Sequence, residues 1–283
     1  MNAERGYQHG FSAHNKAMYD VEQRQRKAAT MIAVLAEGCA RPLAELNALD
    51  VGASTGIIDE YLARHLGSVV GIDIDEEAIR SARDSFARPG LFFHQGDAMA
   101  LRLPDACMDV VICSQVYEHV PDAGRMMGEI HRVLRPGGVC YFAASNRLMW
   151  NEPHYDLPLL SVLPRPLAHR YVRLAGRAER YHELHFSYWR LRRLVKSFDV
   201  EDFTARLVRD PGRYGVDYML RPGSGKQRIA QWMTRFVPWA VPGYIWLLRK
   251  PGATGPGLPG AGGDPWGSSG EGPVVTASGN LTD

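Results

Sequence analysis

Apolar residues recur at helical spacing over 20–37, where Val21, Ala28, Met31, Ile32 and Leu35 share one face and Gly38 offers a stop. Residues 47–52 (Asn-Ala-Leu-Asp-Val-Gly) then read as a short buried strand running into a glycine turn. Ile57, Ile58, Tyr61, Leu62 and Leu66 mark a helix over 55–66, closed by Gly67. A strand follows at Ser68–Asp73, a helix at 75–87 and a third strand at Leu91–His94. The unbroken apolar run Asp109–Ser114 suits a strand buried on both faces. A helix over 121–134 opens at Pro121 and ends before Pro136-Gly137-Gly138, and a fifth strand covers Val139–Ala144. Strands alternating with helices at this spacing predict an α/β fold: a mostly parallel sheet with helices on both faces and right-handed crossovers. Ligands of such sheets bind at the carboxyl ends of the strands, so the residues just past each strand are the ones to examine.

Beyond 147 the rhythm breaks. Residues 147–186 are rich in proline and histidine and carry little periodicity. A helix is predicted over 187–198, with Ser187 as its cap and Leu191, Leu194, Val195 and Phe198 on one face. A strand is predicted at 202–208 and a last one at 244–249, separated by an irregular stretch over 211–242 that holds an amphipathic helix with Ile229, Trp232, Met233 and Phe236. The stretches 147–186 and 211–242 read as insertions that cover a substrate. Residues 251–283 hold 15 Gly or Pro among 33 and are expected to be a disordered tail.

Charge narrows the function classes. Among 283 residues, 33 are Lys or Arg and 31 are Asp or Glu, a net charge of +2. That balance argues against a protein that coats nucleic acid. No apolar run reaches the roughly 18 residues of a membrane span, and the polar start lacks the apolar stretch of a signal peptide. The cysteines, at 39, 107, 113 and 140, form no CxxC pair; buried reduced thiols in a cytoplasmic protein are the expectation. No Cys/His spacing suggests a metal site.

The candidate chemistry lies after the strands. In LDVGASTG, residues 49–56, a strand delivers the chain into a glycine turn that opens a helix, which brings backbone N–H groups close to a ligand. Asp73 ends the next strand 21 residues after Gly52, a distance that suits hydrogen bonding to the ribose hydroxyls of a nucleoside. The spacing is GxxxG with Ala53 in the middle, unlike the GxGxxG of dinucleotide sites. Gly96-Asp97-Ala98 follows the third strand, where a carboxylate can accept from an adenine amino group.

In this order and spacing, LDVGASTG, GIDID, GDA, DVVICSQVYEHVPD and LRPGG resemble the class I S-adenosylmethionine-dependent methyltransferases, in particular the group that includes ubiquinone and menaquinone biosynthesis enzymes. The resemblance covers residues 20–150 well and 187–250 in topology alone. It implies a Rossmann-like sheet of about seven strands, a methyltransferase domain over 20–250, an N-terminal lid over 1–19 through Tyr7, Phe11, His14 and Tyr19, and S-adenosylmethionine as cofactor. Carried over, Asp50, Gly52, Ala53 and Gly56 would wrap its methionine part, Asp73 would bind the ribose, and Ile74 would pack on the adenine. Asp97 and the Ala98 N–H would bind the adenine edge, with Ser114 and Gln115 on the floor near the reacting methyl. Ala53 departs from the Gly or Cys usual there.

Transfer to a hydroxyl needs a base within reach of its proton. His119, at the mouth of the site, and His154 and His185, in the insertion, are the candidates. The insertion also mixes Trp150, Tyr155, Leu157, Leu159, Leu160, Tyr171, Tyr181, Phe186 and Trp189 with arginines, which suits either an anionic, planar acceptor or surface charge over a small satellite core. Phe236–Leu248 reads as a helix leading into the last strand, or as a peripheral contact with a membrane that carries a lipid-linked acceptor. The reading is methyl transfer to a small-molecule or lipid-linked acceptor at oxygen, with no nucleic-acid partner. Methylation of carbon on a quinone-like ring is its rival. A NAD-dependent oxidoreductase and a catalytically silent binding protein are the alternatives from other classes.

Overall fold

The computed structural model describes residues 8–14 and 16–252. Tyr7 and the glycine- and proline-rich stretch after Gly252 lie outside them, so the expectation of a disordered tail does too. A short helix α1 (Phe11–His14) precedes α2 (Val21–Gly38). Asp20 caps α2 by accepting from the Gln23 N–H at 3.0 Å. The buried stripe of α2 is Ala28, Met31, Val34 and Leu35, whereas Val21 in its first turn is exposed.

Five strands and three helices then alternate: β1 (Asn47–Val51), α3 (Ile57–Leu62), β2 (Ser68–Asp73), α4 (Glu76–Ser85), β3 (Leu91–Gln95), β4 (Met108–Ser114), α5 (Ala123–Val133) and β5 (Leu134–Ser145). After them come the hairpin β6 (Asn151–Glu152) and β7 (Leu157–Pro158), then α6 (Arg165–Leu174), α7 (Tyr188–Leu194), β8 (Asp199–Asp202), α8 (Thr204–Arg209), α9 (Gly225–Phe236) and β9 (Gly243–Arg249). The main sheet has seven strands in the order β3-β2-β1-β4-β5-β9-β8. The first five are parallel, while β9 is antiparallel to both β5 and β8. Val110 to Cys113 of β4 are fully buried, as the continuous apolar run requires. One face of the sheet carries α2, α3 and α8 over a core that includes Met31, Leu35, Leu62 and Phe203.

The structure corrects several boundaries. Helix α3 stops at Leu62 rather than 66, because the chain must turn to lay Gly67 against the entry to β1. The Gly67 N–H donates to the Leu46 carbonyl, and a Cβ on Gly67 would meet the Ala44 oxygen at 2.7 Å. Helix α5 starts at Ala123 with Asp122 as its cap. β5 starts at Leu134, so Pro136-Gly137-Gly138 lies inside the strand. Ser187 precedes α7 but makes no side-chain cap bond.

The strand predicted at 202–208 is absent. The pairing ends at Asp202, whose carboxylate accepts from the Thr204 N–H at 2.8 Å. Phe203 and Leu207, four apart, then bury the same helical face. In 147–186 the satellite core exists: Leu157, Leu160, Ala168, Val172 and Tyr181 form it. Two of the arginines there are engaged with backbone. Arg147 donates to the Ser161 and Val162 carbonyls, and Arg165 to those of Tyr181 and His182.

The second half of 236–248, from Gly243, is β9, with Trp246, Leu247 and Leu248 buried in the sheet. The exposed apolar side chains lie just before it: Ile229, Trp232 and Phe236 on α9, and Trp239. Among the described residues, no helix is long and apolar enough to cross a membrane.

Two acids sit inside this frame. Asp50 of β1 and Asp59 of α3 are buried together, with Arg24 of α2 as a nearby positive charge. Gly71 of β2 makes room, since a Cβ there would come within 2.6 Å of Asp59 Oδ1. Neither Asp59 oxygen has a donor among the described residues. Two carboxyls buried side by side favour holding a proton between them. Burial raises both above the ordinary carboxylate range; Asp73 raises Asp50 further and Asp50 raises Asp59, against the pull of Arg24. The native state therefore holds a proton that the unfolded chain loses above pH ~4. The pair is least costly at low pH, and its contribution falls as pH rises toward and through the raised values. Asp59→Asn keeps a donor toward Asp50 without ionising. Its melting temperature is expected to match the wild type at pH 5 and exceed it at pH 8; a wild type that gains stability relative to the variant on going to pH 8 would exclude the shared proton.

Candidate functional site

A cavity of about 560 Å³ opens at the carboxyl ends of β1, β2 and β4. The fold puts it there because β1 pairs with β2 on one side and β4 on the other, so the connections from β1 to β2 and from β4 to β5 run in opposite directions along the sheet. Gly52 ends β1 in a left-handed conformation (φ 86°), and its N–H and that of Ala53 donate to the Ile72 carbonyl at 2.8 and 2.9 Å. A Cβ on Gly52 would meet Val116 Cγ2 at 2.7 Å, so the turn lies close against the loop after β4.

Asp73 stands at the end of β2 on the cavity wall. Its carboxylate accepts from the Ser54 N–H at 2.8 Å and the Asp75 N–H at 2.9 Å, which ties the glycine turn to the start of α4. Burial raises the Asp73 carboxyl, and those two N–H groups pull it back down. Ile74, Gly96, Asp97 and Ala98 continue the same wall. Asp97 Oδ1 accepts from the Met99 N–H at 3.0 Å. Ser114 and Gln115 lie where β4 ends; Gln115 is left-handed (φ 58°) and its Oε1 accepts from Ser145 Oγ at 2.7 Å.

Gly52, Asp73, Ile74, Asp97, Ala98, Ser114, His119 and His154 thus come together around one cavity. Asp50, Ala53, Gly56 and His185 lie behind it. Gly56 is the left-handed entry to α3 (φ 76°), and a Cβ there would meet Phe93 Cζ at 2.6 Å, so it permits helix–sheet packing.

Sequence reasoning missed the opposite wall. Arg24 and Lys27, one turn apart on the polar face of α2, line the cavity with Gln23, and Met18 and Ala17 lead into them. Burial lowers both basic groups; Asp50, Asp59 and Asp73 draw Arg24 back up. The available signal was a basic pair at i,i+3 on a helix that precedes a glycine turn, which is weak on its own. The N-terminal segment crosses the opening. Ser12 donates to Asp75 from its N–H at 3.0 Å and its hydroxyl at 2.7 Å, Gln8 donates to the His119 carbonyl, and Phe11 packs 5.2 Å from the His119 ring. The side chain of His14 is not among the described features.

The far end of the cavity holds histidines. His119 and His154 lie edge to face, 4.9 Å apart. Burial first, and then the charges of His154 and His185, push His119 down to about 3. Glu152, at the end of β6, holds His154 Nδ1 at 2.6 Å and His185 Nε2 at 3.1 Å. Burial would raise Glu152, but the two imidazoles outweigh it and hold the carboxyl at about 2. Burial also disfavours charge on His154, and the bond to Glu152 reverses that, leaving it above its ordinary value. The sequence showed no metal-ligand spacing, yet the fold gathers Glu152, His154 and His185 from positions up to 33 apart.

The cavity suits a nucleoside with an amino-acid tail: carboxylates toward hydroxyls and an amine at one wall, Arg24 and Lys27 toward a carboxylate at the other, and glycine backbone between. Residues 49–142 match the family profile described as a methyltransferase domain. The ubiquinone biosynthesis O-methyltransferase of Methylococcus capsulatus is 34% identical over 108 residues, 37% of this chain and 46% of the relative. That of Thiobacillus denitrificans is 33% identical over 148 residues, 49% of this chain and 62% of the relative. The chain spans about half the length of the curated relatives it matches. Among solved structures, a Haloferax volcanii methyltransferase in complex with the Trm112 methyltransferase activator aligns with a TM-score of 0.52 at 18% identity, over 89% of this chain and 99% of that one. A SAM-dependent methyltransferase from Methanosarcina mazei gives 0.51 at 20% identity, over 78% and 98%. At these identities the structures speak for the fold. The family profile and the curated relatives, together with the sheet order and the motifs after β1, β2 and β3, identify the matched region, residues 49–142, as a class I S-adenosylmethionine-dependent methyltransferase domain.

Proposed function

We propose that the protein transfers the methyl group of S-adenosylmethionine to an oxygen of a small-molecule or lipid-linked acceptor. One observation carries this reading: a single cavity has a carboxylate wall, Asp73 and Asp97, and a histidine end, His119 and His154. When bound, S-adenosylmethionine supplies an electrophilic methyl on a sulfonium. The chain's work is to hold the acceptor oxygen in line with it and to exclude water.

In this account Asp73 accepts from the ribose hydroxyls with the lone pairs that Ser54 and Asp75 leave open. Ile74 packs on the adenine, and Asp97 and the Ala98 N–H meet its edge. Gly52 lets the turn approach the methionine part, and Arg24 with Lys27 pairs its carboxylate. Asp50, Ala53 and Gly56 support the turn from behind. Ser114 and Gln115 floor the reacting centre. His119 and His154 face the acceptor hydroxyl, whose proton must leave as the oxygen–methyl bond forms and the carbon–sulfur bond breaks. His185 is a positioning residue, acting through Glu152. Residues 8–19 serve as a lid tied down by Ser12 on Asp75. For a lipid-linked acceptor, the exposed Ile229, Trp232, Phe236 and Trp239 with Arg228 and Arg235 offer a face for the membrane surface.

Incubation with methyl-labelled S-adenosylmethionine and a cell extract, followed by solvent partition, tests the acceptor class. Label in the organic phase is the expected result for a lipid-linked acceptor and label in water for a polar metabolite; label in neither phase would overturn methyl transfer to such acceptors. Asp73→Ala is expected to weaken S-adenosylhomocysteine binding more than about tenfold in calorimetry, through loss of charge-assisted bonds. Asp73→Asn, which still accepts from Ser54 or Asp75, should fall between; equal affinity in all three proteins would remove the ribose assignment. Arg24→Ala should weaken S-adenosylhomocysteine more than adenosine, because adenosine has no carboxylate to pair; equal losses for both would contradict the role given to Arg24.

A further inference from the structure

The histidine end of the cavity holds more charge than methyl transfer explains. Three carboxylates and three imidazoles meet there from three loops: Glu118 and His119 after β4, Glu152 and His154 at the β6 hairpin, and Glu183 and His185 before α7. Glu118, Glu152 and Glu183 are 2%, 0% and 4% exposed. A buried carboxylate needs donors or a cation. Glu152 has donors: its Oε2 accepts from the backbone N–H groups of His154 at 2.9 Å and Tyr155 at 3.0 Å, and its Oε1 faces the two imidazoles. Glu118 has none for either oxygen among the described residues, and Glu183 Oε2 has none. Two loops thus bring buried carboxyls with unpartnered oxygens near a place where a third has already gathered two imidazole nitrogens around one oxygen.

We propose that Glu152, His154 and His185 bind a divalent first-row transition metal, with zinc the first choice. Their ligand atoms all lie within 4.8 Å of one another, and a neighbouring group, His119, His154 and Glu183, meets the same limit and shares His154. Bonds of about 2.0–2.1 Å in a tetrahedral site put adjacent ligand atoms about 3.3 Å apart. The present spacings, 2.6 Å from Glu152 Oε1 to His154 Nδ1 and 3.1 Å to His185 Nε2, need only a small expansion for a cation to replace the bridging protons. Two imidazoles and one carboxylate favour zinc, cobalt or iron over magnesium and calcium. The backbone N–H groups on Glu152 Oε2 fix the carboxylate, as outer-shell partners of metal ligands do. The cation's charge also compensates Glu118 and Glu183. Three protein ligands leave a fourth position, and His154 sits on the cavity wall. That position is suited to an oxygen of the acceptor, a role that rests on the methyl-transfer reading, whereas the metal site itself does not.

The test uses the full chain, stripped with a chelator and titrated with zinc chloride by calorimetry, with bound metal counted by mass spectrometry. One equivalent is expected per chain. Glu152→Gln and His185→Asn should each weaken zinc more than about 100-fold, with S-adenosylhomocysteine affinity unchanged as the check that the variant is folded. Wild-type protein that takes up no zinc, or variants that bind it as well as wild type, would overturn the proposal. Should a variant not fold, cobalt titration of the wild type decides: intense four- or five-coordinate visible bands support the site, and no bands or weak octahedral ones overturn it. Zinc binding without S-adenosylhomocysteine binding would instead leave the metal site standing and remove the methyl-transfer reading.

Discussion

The pairing of β1 with β2 on one edge and β4 on the other is the constraint on which the rest depends. Because the crossovers are right-handed, the helices after β1 and after β4 must leave toward opposite faces of the sheet. That leaves a gap between the two strand ends, and the residues at and just after the ends of β1, β2, β3 and β4 converge on it. The glycines follow from the same constraint. Gly52 lets the β1 turn lie against Val116 of the β4 loop, and Gly56 lets α3 start directly over Phe93. A side chain at Gly52 would displace Val116 on the cavity wall, and one at Gly56 would displace Phe93 beneath α3.

Electrostatics divides this crevice. Behind its floor, Asp50 and Asp59 are buried near Arg24, which lies on the cavity wall. At the far end, Glu152 is buried against His154 and His185. Both clusters are built from residues on elements distant in sequence, and each restrains them: α2 and α3 against β1 in the first, the β6 hairpin against the segment before α7 in the second. The insertion over 147–186 has its own apolar core and is also tied to the sheet by polar bonds. Where β5 ends, Asn146 Nδ2 donates to the Trp239 and Val241 carbonyls, and the Tyr117 hydroxyl donates to the Ser145 carbonyl and accepts from the Phe186 N–H, which joins the insertion to β5.

The sheet strands and most helices were legible because their periodicity is local. β4 announces itself by an unbroken apolar run, and α2 by its spacing. The strand expected at 202–208 failed because Phe203, Leu207 and Val208 fit either period, and only the anchoring of Thr204 to Ile245 decides between them. Of the site, the residues after β1, β2 and β3 were readable because a glycine turn and an acid at fixed distance are sequence features. Arg24 and Lys27 were not, since a basic residue on the polar face of an amphipathic helix carries no mark of facing a cavity rather than solvent. The Glu152, His154 and His185 group was half visible: both histidines stood out, but their common partner is fixed by a two-residue strand that no pattern predicts.

The most direct measurement is a crystal structure of the protein with S-adenosylhomocysteine. The account predicts the ribose hydroxyls on Asp73, the adenine between Ile74 and Asp97, the carboxylate toward Arg24 and Lys27, and the sulfur directed at the end of the cavity that holds His119 and His154. A ligand seated elsewhere, or one in this cavity with its sulfur turned away from those histidines, would contradict it.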